Sequence, residues 1–186
     1  MIPPGYWTRD GSEVLCLGAG GAGVAITWFL LAGQHPLGMP NRVIVTDVDA
    51  QRLDHLRTLV DSERLLVSTI SGSTDNSRLL GQLPPGSLVI NATGLGKDRP
   101  GSPLDNGALF PTDGIVWELN YRGELDFLQQ AKRQAVARKL QVHDGWDYFI
   151  HGWTSVISDV FGIEIPDDQQ TFERLSQLAI DAAAGA

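Results

Sequence analysis

Cysteine is almost missing from this chain of 186 residues; Cys16 is the one present. A single thiol excludes an internal disulfide and any zinc site built on cysteine. No His-Glu-x-x-His segment and no paired-carboxylate spacing occurs, so no metal is expected. Gly-x-Ser-x-Gly is absent too, which removes the hydrolases that rest on a nucleophile elbow. Positive charge is scarce: 14 Lys and Arg stand against 22 Asp and Glu, for a net charge of -8. A protein of that sign, with no basic cluster, is not drawn to nucleic acid or to an anionic membrane. No apolar run approaches the roughly 18 residues of a membrane span. The start, Met1-Ile2-Pro3-Pro4-Gly5, lacks the charged-then-apolar layout of a secretion signal. Neither nucleic acid nor membrane is therefore expected as a partner, and a reducing, cytoplasmic setting fits.

What remains is an ordinary globular composition, 42% hydrophobic and 19% charged, in a length that suits one domain over residues 1–186. Short apolar runs alternate with helical stretches. Val14–Leu17, a continuous apolar run with the buried Cys16 at its centre, reads as a strand of a parallel sheet. Gly21–Leu31 follows as a helix with Trp28 on its buried face, then the breaker Gly33-Gln34-His35-Pro36. Val43–Thr46 is the second strand, closed by Asp47. Asp49 is placed to cap a helix over Ala50–Val60, with Leu53, Leu56, Leu59 and Val60 inward. Leu65–Ile70, Leu88–Asn91 and Gly114–Glu118 read as further strands, with a short helix near Asn76–Gln82. Gly123–Leu140 is helical, with Leu125, Leu128, Ala131 and Ala135 inward, and Gln141–His143 suits an edge strand. Asp147–Phe161 and a terminal helix within 168–184, patterned from Thr171, complete the chain. His35 and His55 are expected at the surface. This alternation predicts an α/β fold of three layers: a Rossmann-type, doubly wound parallel sheet with helices on both faces.

Immediately after the first strand comes Gly18-Ala19-Gly20-Gly21-Ala22-Gly23. A bare G-x-G-x-x-G is common, but a strand before it and a helix after it give it weight. Gly18 permits the tight turn, Gly20 lets backbone approach a pyrophosphate, and Gly23 lets helix pack close on strand. The helix N-terminus then offers free N–H groups and a partial positive charge to phosphates. Asp47 closes the second strand at about the 20-residue distance where the motif expects an acid for the adenosine ribose. A carboxylate there repels a 2′-phosphate, which favours NAD over NADP, although Arg52 and Arg57 on the next helix leave NADP open. Capping the following turn is the other role open to Asp47.

Three segments in succession extend the reading: the glycine loop, Asn91-Ala92-Thr93-Gly94-Leu95-Gly96, and Asn120-Tyr121-Arg122-Gly123. Together they resemble the nucleotide-binding, C-terminal half of shikimate dehydrogenases, over roughly Glu13 to Gly162. The resemblance implies that the loop of Asn91, Ala92, Thr93, Gly94 and Gly96 sits beside the nicotinamide. It places Tyr121 near substrate and nicotinamide. It aligns Gly152 with a glutamine that contacts substrate, and so sets this chain apart. It also implies a preceding substrate domain with a catalytic lysine and aspartate. Met1–Glu13 holds no counterpart, so that domain is expected to be missing here or carried by a separate chain.

Within the chain, candidates for proton transfer are few. Lys97 beside Asp98 suits a proton relay or a solvated turn, and His151 suits a general acid–base or a polar helix position. His143 and Asp144 stand at the next strand end. Of Trp7, Trp28, Trp117, Trp146 and Trp153, the last pair flanks the late helix and suits a pocket floor or an interface. Two functions stay open: the cofactor domain of an oxidoreductase that transfers hydride to or from a cyclic polyol or hydroxy acid, with the small-molecule substrate shared with another domain, and a non-catalytic NAD(P)-binding sensor. A homo-oligomer is compatible with either.

Overall fold

The computed structural model describes residues 2–8, 11–32 and 37–184. They divide into two compact units, Met1–Asp144 and Gly145–Ala186. The breaker at Gly33–Pro36, with His35, lies outside the described residues. In the first unit the elements run β1 (Val14–Leu17), α1 (Gly21–Leu31), β2 (Val43–Asp47), α2 (Ala50–Leu59), β3 (Leu65–Thr69), α3 (Ser73–Leu80), β4 (Leu88–Asn91), β5 (Ile115–Glu118), α4 (Asp126–Arg138) and β6 (Gln141–His143). The sheet order is β3-β2-β1-β4-β5-β6, and each neighbouring pair is parallel. This is the doubly wound Rossmann-type sheet the alternation predicts.

Helices on both faces explain why the central strands are apolar throughout rather than at every second residue. Val14, Cys16, Val43, Val45, Leu88 and Ile90 pack with Leu30 and Leu31 of α1 and Leu53 and Leu56 of α2. Leu15, Leu17, Ile44, Val89 and Val116 face the other way, with Leu80 of α3 and Phe127 and Ala131 of α4. Cys16 is fully buried, and burial pushes its thiol up to about 12, so it is an inert packing group. Register aligns the strand ends: Leu17 stands opposite Thr46 and Asn91, and Asn91 opposite Glu118. The loops that leave these ends share one edge of the sheet.

Several expectations change at the level of single residues. Trp28 is 57% exposed, not buried. Helix α1 is apolar nearly all round, so hydrophobicity does not choose its inner face; Gly23 does. A Cβ on Gly23 would lie 2.1 Å from the carbonyl oxygen of Gly18. With Gly23 against the sheet, the positions four, seven and eight residues on are Thr27, Leu30 and Leu31, which are the buried ones. Trp28 is turned away by one helical step. On α2, Leu53 and Leu56 are buried but Leu59 is exposed. Asp49 does cap that helix, accepting from the N–H of Gln51 at 2.9 Å, a contact worth about 1 kcal/mol.

Helix α3 begins at Ser73, earlier than the expected Asn76. Its flanking residue is Gly72, with no side-chain cap; instead Asp75 accepts from the N–H of Ser71 at 2.8 Å. Helix α4 begins at Asp126, not Gly123, because Gly123 and Leu125 both have positive φ. Residues 123–125 form a turn that presses on Gly96, whose carbonyl oxygen a Cβ on Gly123 would meet at 2.2 Å. On α4, Leu128 and Ala131 face inward as expected, joined by Phe127 and Gln130, while Ala135 is half-buried. His55 is exposed, as expected.

The second unit is a helical pair, α5 (Trp146–Phe161) and α6 (Gln169–Ala184). Gly162, in the left-handed conformation, ends α5 and donates to the carbonyl of Ser158. Asp168 accepts from the N–H of Thr171 at 2.8 Å at the start of α6. No helix among the described residues is long and apolar enough to cross a membrane.

The contact under α1 yields a paired expectation. Gly23→Ala forces β1 and α1 apart and lowers stability by about 3 kcal/mol, whereas a Cβ on Gly20 meets nothing within 4 Å, so Gly20→Ala leaves the melting temperature within about 2 °C of the parent. Thermal melts of both variants check this; equal losses would contradict the packing.

Candidate functional site

From β1 the sheet order runs one way through β2 and β3 and the other way through β4 to β6. Between β1 and β4 the loops diverge, and ligands of open parallel sheets bind at such a switch point. The glycine loop forms one side. Gly18 has φ of +105° and donates to the carbonyl of Thr46 at 2.7 Å. A Cβ there would come within 2.9 Å of the carbonyl oxygen of Ala92, so glycine is what lets the loops after β1 and β4 touch. Gly20 and Gly21 face open space. Gly20 precedes α1 with no side-chain cap, and no acid lies in the first turn. The first N–H groups of α1 are therefore open to an external acceptor. Ala22 is half-buried and Gly23 buried beneath them.

These loops enclose a cleft of about 540 Å³, within the usual range for small-molecule sites; Gly18, Gly20, Asp47, Ala92, Thr93 and Gly94 are among its lining residues. It runs from the end of β2, past the start of α1, to the loop after β4. Backbone positions without Cβ atoms at its middle, an uncapped helix start and a carboxylate at one end suit an extended ligand with a diphosphate at its centre. Gly96 borders a smaller cavity of about 250 Å³ with Lys97, Arg99 and Gly123.

Asp47 takes the turn-capping role open to it from the sequence, and it also lines the cleft. Its Oδ2 accepts from the N–H of Ala19 at 2.8 Å, and its Oδ1 accepts from the N–H of Asp49 at 3.0 Å. The acid thus ties the glycine loop to the end of β2 while it lines the cleft. Arg52 lies 3.8 Å from Asp47 and 3.6 Å from Asp49, and it is exposed.

Under the other end of the cleft lies a residue that sequence reasoning missed. Glu118, at the end of β5, is fully buried. Its Oε2 accepts from Asn91 Nδ2 at 2.8 Å, and its Oε1 accepts from the N–H of Asn120 at 2.8 Å. Asn91 Oδ1 in turn accepts from the N–H and the hydroxyl of Thr93, at 3.1 and 2.6 Å. Asn120 Nδ2 donates to the carbonyls of Thr93 and Leu95. Burial pushes the Glu118 carboxyl up to about 7; the hydrogen bonds from Asn120 and Asn91 and the charge of Lys97 pull the other way without cancelling it. Asn91 and Thr93 therefore do more than form a turn: they couple the loop to a buried acid. The available signal was the pairing of polar residues at the ends of two adjacent apolar strands.

Lys97 does not stand free. Its Nζ is 3.5 Å from Asp98 and 5.5 Å from the centre of the half-buried Tyr121 ring, which Arg122 also approaches. Lys97 thus lies by Tyr121, and its charge reaches Glu118. Gly152 and His151 lie on α5 of the second unit. Gly152 is exposed. His151 stacks on Phe172 and lies 3.3 Å from Asp167. Trp153 is 57% exposed, and Trp146 donates to the hydroxyl of Ser176.

No family model matches the chain. Among curated proteins it is 27% identical over 171 residues to the shikimate dehydrogenase (NADP(+)) of Lactococcus lactis subsp. cremoris, covering 88% of this chain and 56% of that protein. It is 27% identical over 162 residues to the enzyme of the same name from Streptococcus gordonii, covering 86% and 54%. Among solved structures, shikimate 5-dehydrogenase from Thermus thermophilus, in complex with shikimate, superposes with a TM-score of 0.60 at 25% identity, over 90% of this chain and 54% of that one. The chain spans about half the length of the relatives it matches. Over that half its sequence and fold are similar to those of shikimate dehydrogenases.

The buried acid has a measurable consequence. A carboxyl raised in the folded state holds its proton more tightly than in the unfolded chain. Its stabilising contribution is complete below the ordinary value of 4.5 and is lost as pH rises through about 7. Glu118→Gln removes that slope, so the variant gains on the parent between about pH 5 and about pH 8, by up to roughly 3 kcal/mol. Denaturant melts across that range check it; parallel pH profiles would contradict the raised acid.

Proposed function

We propose that this chain is the nicotinamide-dinucleotide-binding domain of a shikimate dehydrogenase-like oxidoreductase, and that its cleft takes NAD in preference to NADP. The observation that carries the reading is the uncapped start of α1 at Gly20, which lines the cleft together with Asp47 and Thr93. Backbone N–H groups there would grip the diphosphate, aided by the helix dipole. Asp47 would accept from the adenosine ribose hydroxyls. Its carboxylate is already oriented by the N–H groups of Ala19 and Asp49, and ordering it on binding costs little. The other half of the ligand then falls on the loop of Ala92, Thr93 and Gly94.

A nicotinamide ring held at that loop supplies hydride exchange with a substrate carbon. The residues of this chain would orient it: Asn91 and Asn120 fix the loop, and Tyr121 stands on the substrate side with Lys97 over its ring. The substrate class proposed is a cyclic polyol or hydroxy acid. The lysine and aspartate that move the proton would come from a separate or preceding domain, as the resemblance implies. Residues 1–186 are proposed to act as one cofactor module, with α5 and α6 as its C-terminal part.

The preference for NAD rests on charge. A 2′-phosphate at the end of β2 would meet Asp47 and Asp49, and Arg52 is already shared between those two carboxylates. Like charges so placed cost up to several kcal/mol. The relatives reported above carry NADP(+) in their names, and Asp47 is the reason for separating this chain from them. Titration with all four nucleotides tests both claims. NADH is expected to bind about tenfold tighter than NADPH, and Asp47→Asn, which keeps an oxygen for Ala19, is expected to narrow that gap. Tighter binding of NADPH to the parent overturns the preference; no binding of any of the four overturns the function.

A further inference from the structure

The fully buried acid Glu118 does not line the cleft, yet it is bonded to the residues that shape one end of it. We propose that Glu118 is a positioning residue for the nicotinamide half of the cleft, holding the loop from Asn91 to Leu95 in its binding shape through the Asn91 side chain. This rests on the dinucleotide reading above, since Asp47 assigns the adenosine half to the end of β2 and leaves the end of β4 for the nicotinamide.

Both oxygens of Glu118 face N–H donors: the side-chain amide of Asn91 and the backbone of Asn120. An acceptor on both sides is what a carboxylate offers and what an amide or a protonated acid does not. With Nδ2 of Asn91 turned to Glu118, its Oδ1 is turned to Thr93, where it accepts from both N–H and Oγ1. The Thr93 hydroxyl then has its proton committed to Asn91, so its lone pairs face the N–H of Leu95 at 3.2 Å. One carboxylate thus sets the direction of each hydrogen bond along the chain Glu118, Asn91, Thr93, Leu95. If one oxygen of Glu118 becomes a donor, either Asn120 loses its acceptor or the Asn91 amide must turn over. Turning over would set Nδ2 against the N–H of Thr93, so the conflict moves into the loop that lines the cleft.

A second strap acts in parallel. Asn120 Nδ2 donates to the carbonyls of Thr93 and Leu95 at 3.2 and 3.0 Å, and the N–H of Asn120 is itself held by Glu118. A residue at this place that served packing alone would be apolar, since a buried carboxylate carries a desolvation cost that an alkyl side chain avoids. The acid supplies direction that an alkyl group cannot.

The test separates the two halves of the ligand. ADP-ribose carries the adenosine, the diphosphate and the second ribose but no nicotinamide. Calorimetric titration of the full chain with NADH and with ADP-ribose, at a pH above about 8 where the Glu118 carboxyl is ionised, is compared for the parent, Glu118→Gln and Asn120→Ala. Glu118→Gln is expected to weaken NADH about tenfold and ADP-ribose less than twofold. Asn120→Ala, which keeps the buried acid and its backbone bond, is expected to give a smaller loss with the same selectivity, and it carries the test if Glu118→Gln does not fold. Equal loss of both ligands in the folded variants, or loss of neither, overturns the positioning role while leaving the dinucleotide site standing. A parent that binds neither ligand overturns the dinucleotide reading itself, and this inference with it.

Discussion

One contact governs the architecture of the cleft: the backbone of α1 at Gly23 lies on the carbonyl of Gly18, at a distance that admits no side chain. Because the helix sits that close to β1, its first turn opens directly onto the switch point of the sheet. The same contact selects Thr27, Leu30 and Leu31 as the inner face and leaves Gly20 and Gly21 pointing at open space. A helix held farther out would still cover the sheet, but its N–H groups would no longer converge on the crevice between β1 and β4. The fold and the proposed binding chemistry therefore share one steric requirement.

Two carboxylates then divide the labour at the ends of the cleft, and their surroundings set what each can do. Asp47 is reached by backbone N–H groups and borders the cleft, so it can brace the glycine loop and still meet a ligand. Glu118 has no access to the cleft and holds polar side chains from beneath. The first is proposed to select by charge; the second directs hydrogen bonds in a loop that lines the cleft. Both lie at strand ends on the same edge of the sheet, which is where parallel packing leaves room for polar groups.

Much of this was legible in the amino-acid sequence because it rests on local steric rules. The glycine spacing, the apolar strands, the acid closing β2 and the cap at Asp49 each depend on neighbours within a few residues. Other features depend on partners far along the chain. Trp28 misled because an all-apolar helix carries no signal for its inner face. The start of α4 shifted to Asp126 because Gly123 is used to approach Gly96, a contact between loops that sequence spacing does not reveal. Glu118 was passed over because a glutamate at a strand end reads as solvent-facing, and only the register of β4 against β5 brings it beneath Asn91.

The central claim is that the open N–H groups at the start of α1 receive a diphosphate. Amide resonances followed by NMR during titration with NADH address it most directly. The account predicts that the largest shifts fall on Gly20, Gly21, Ala22 and Gly23, and that Gly20→Val abolishes them together with binding. Saturable binding that leaves those four amides unmoved would contradict it.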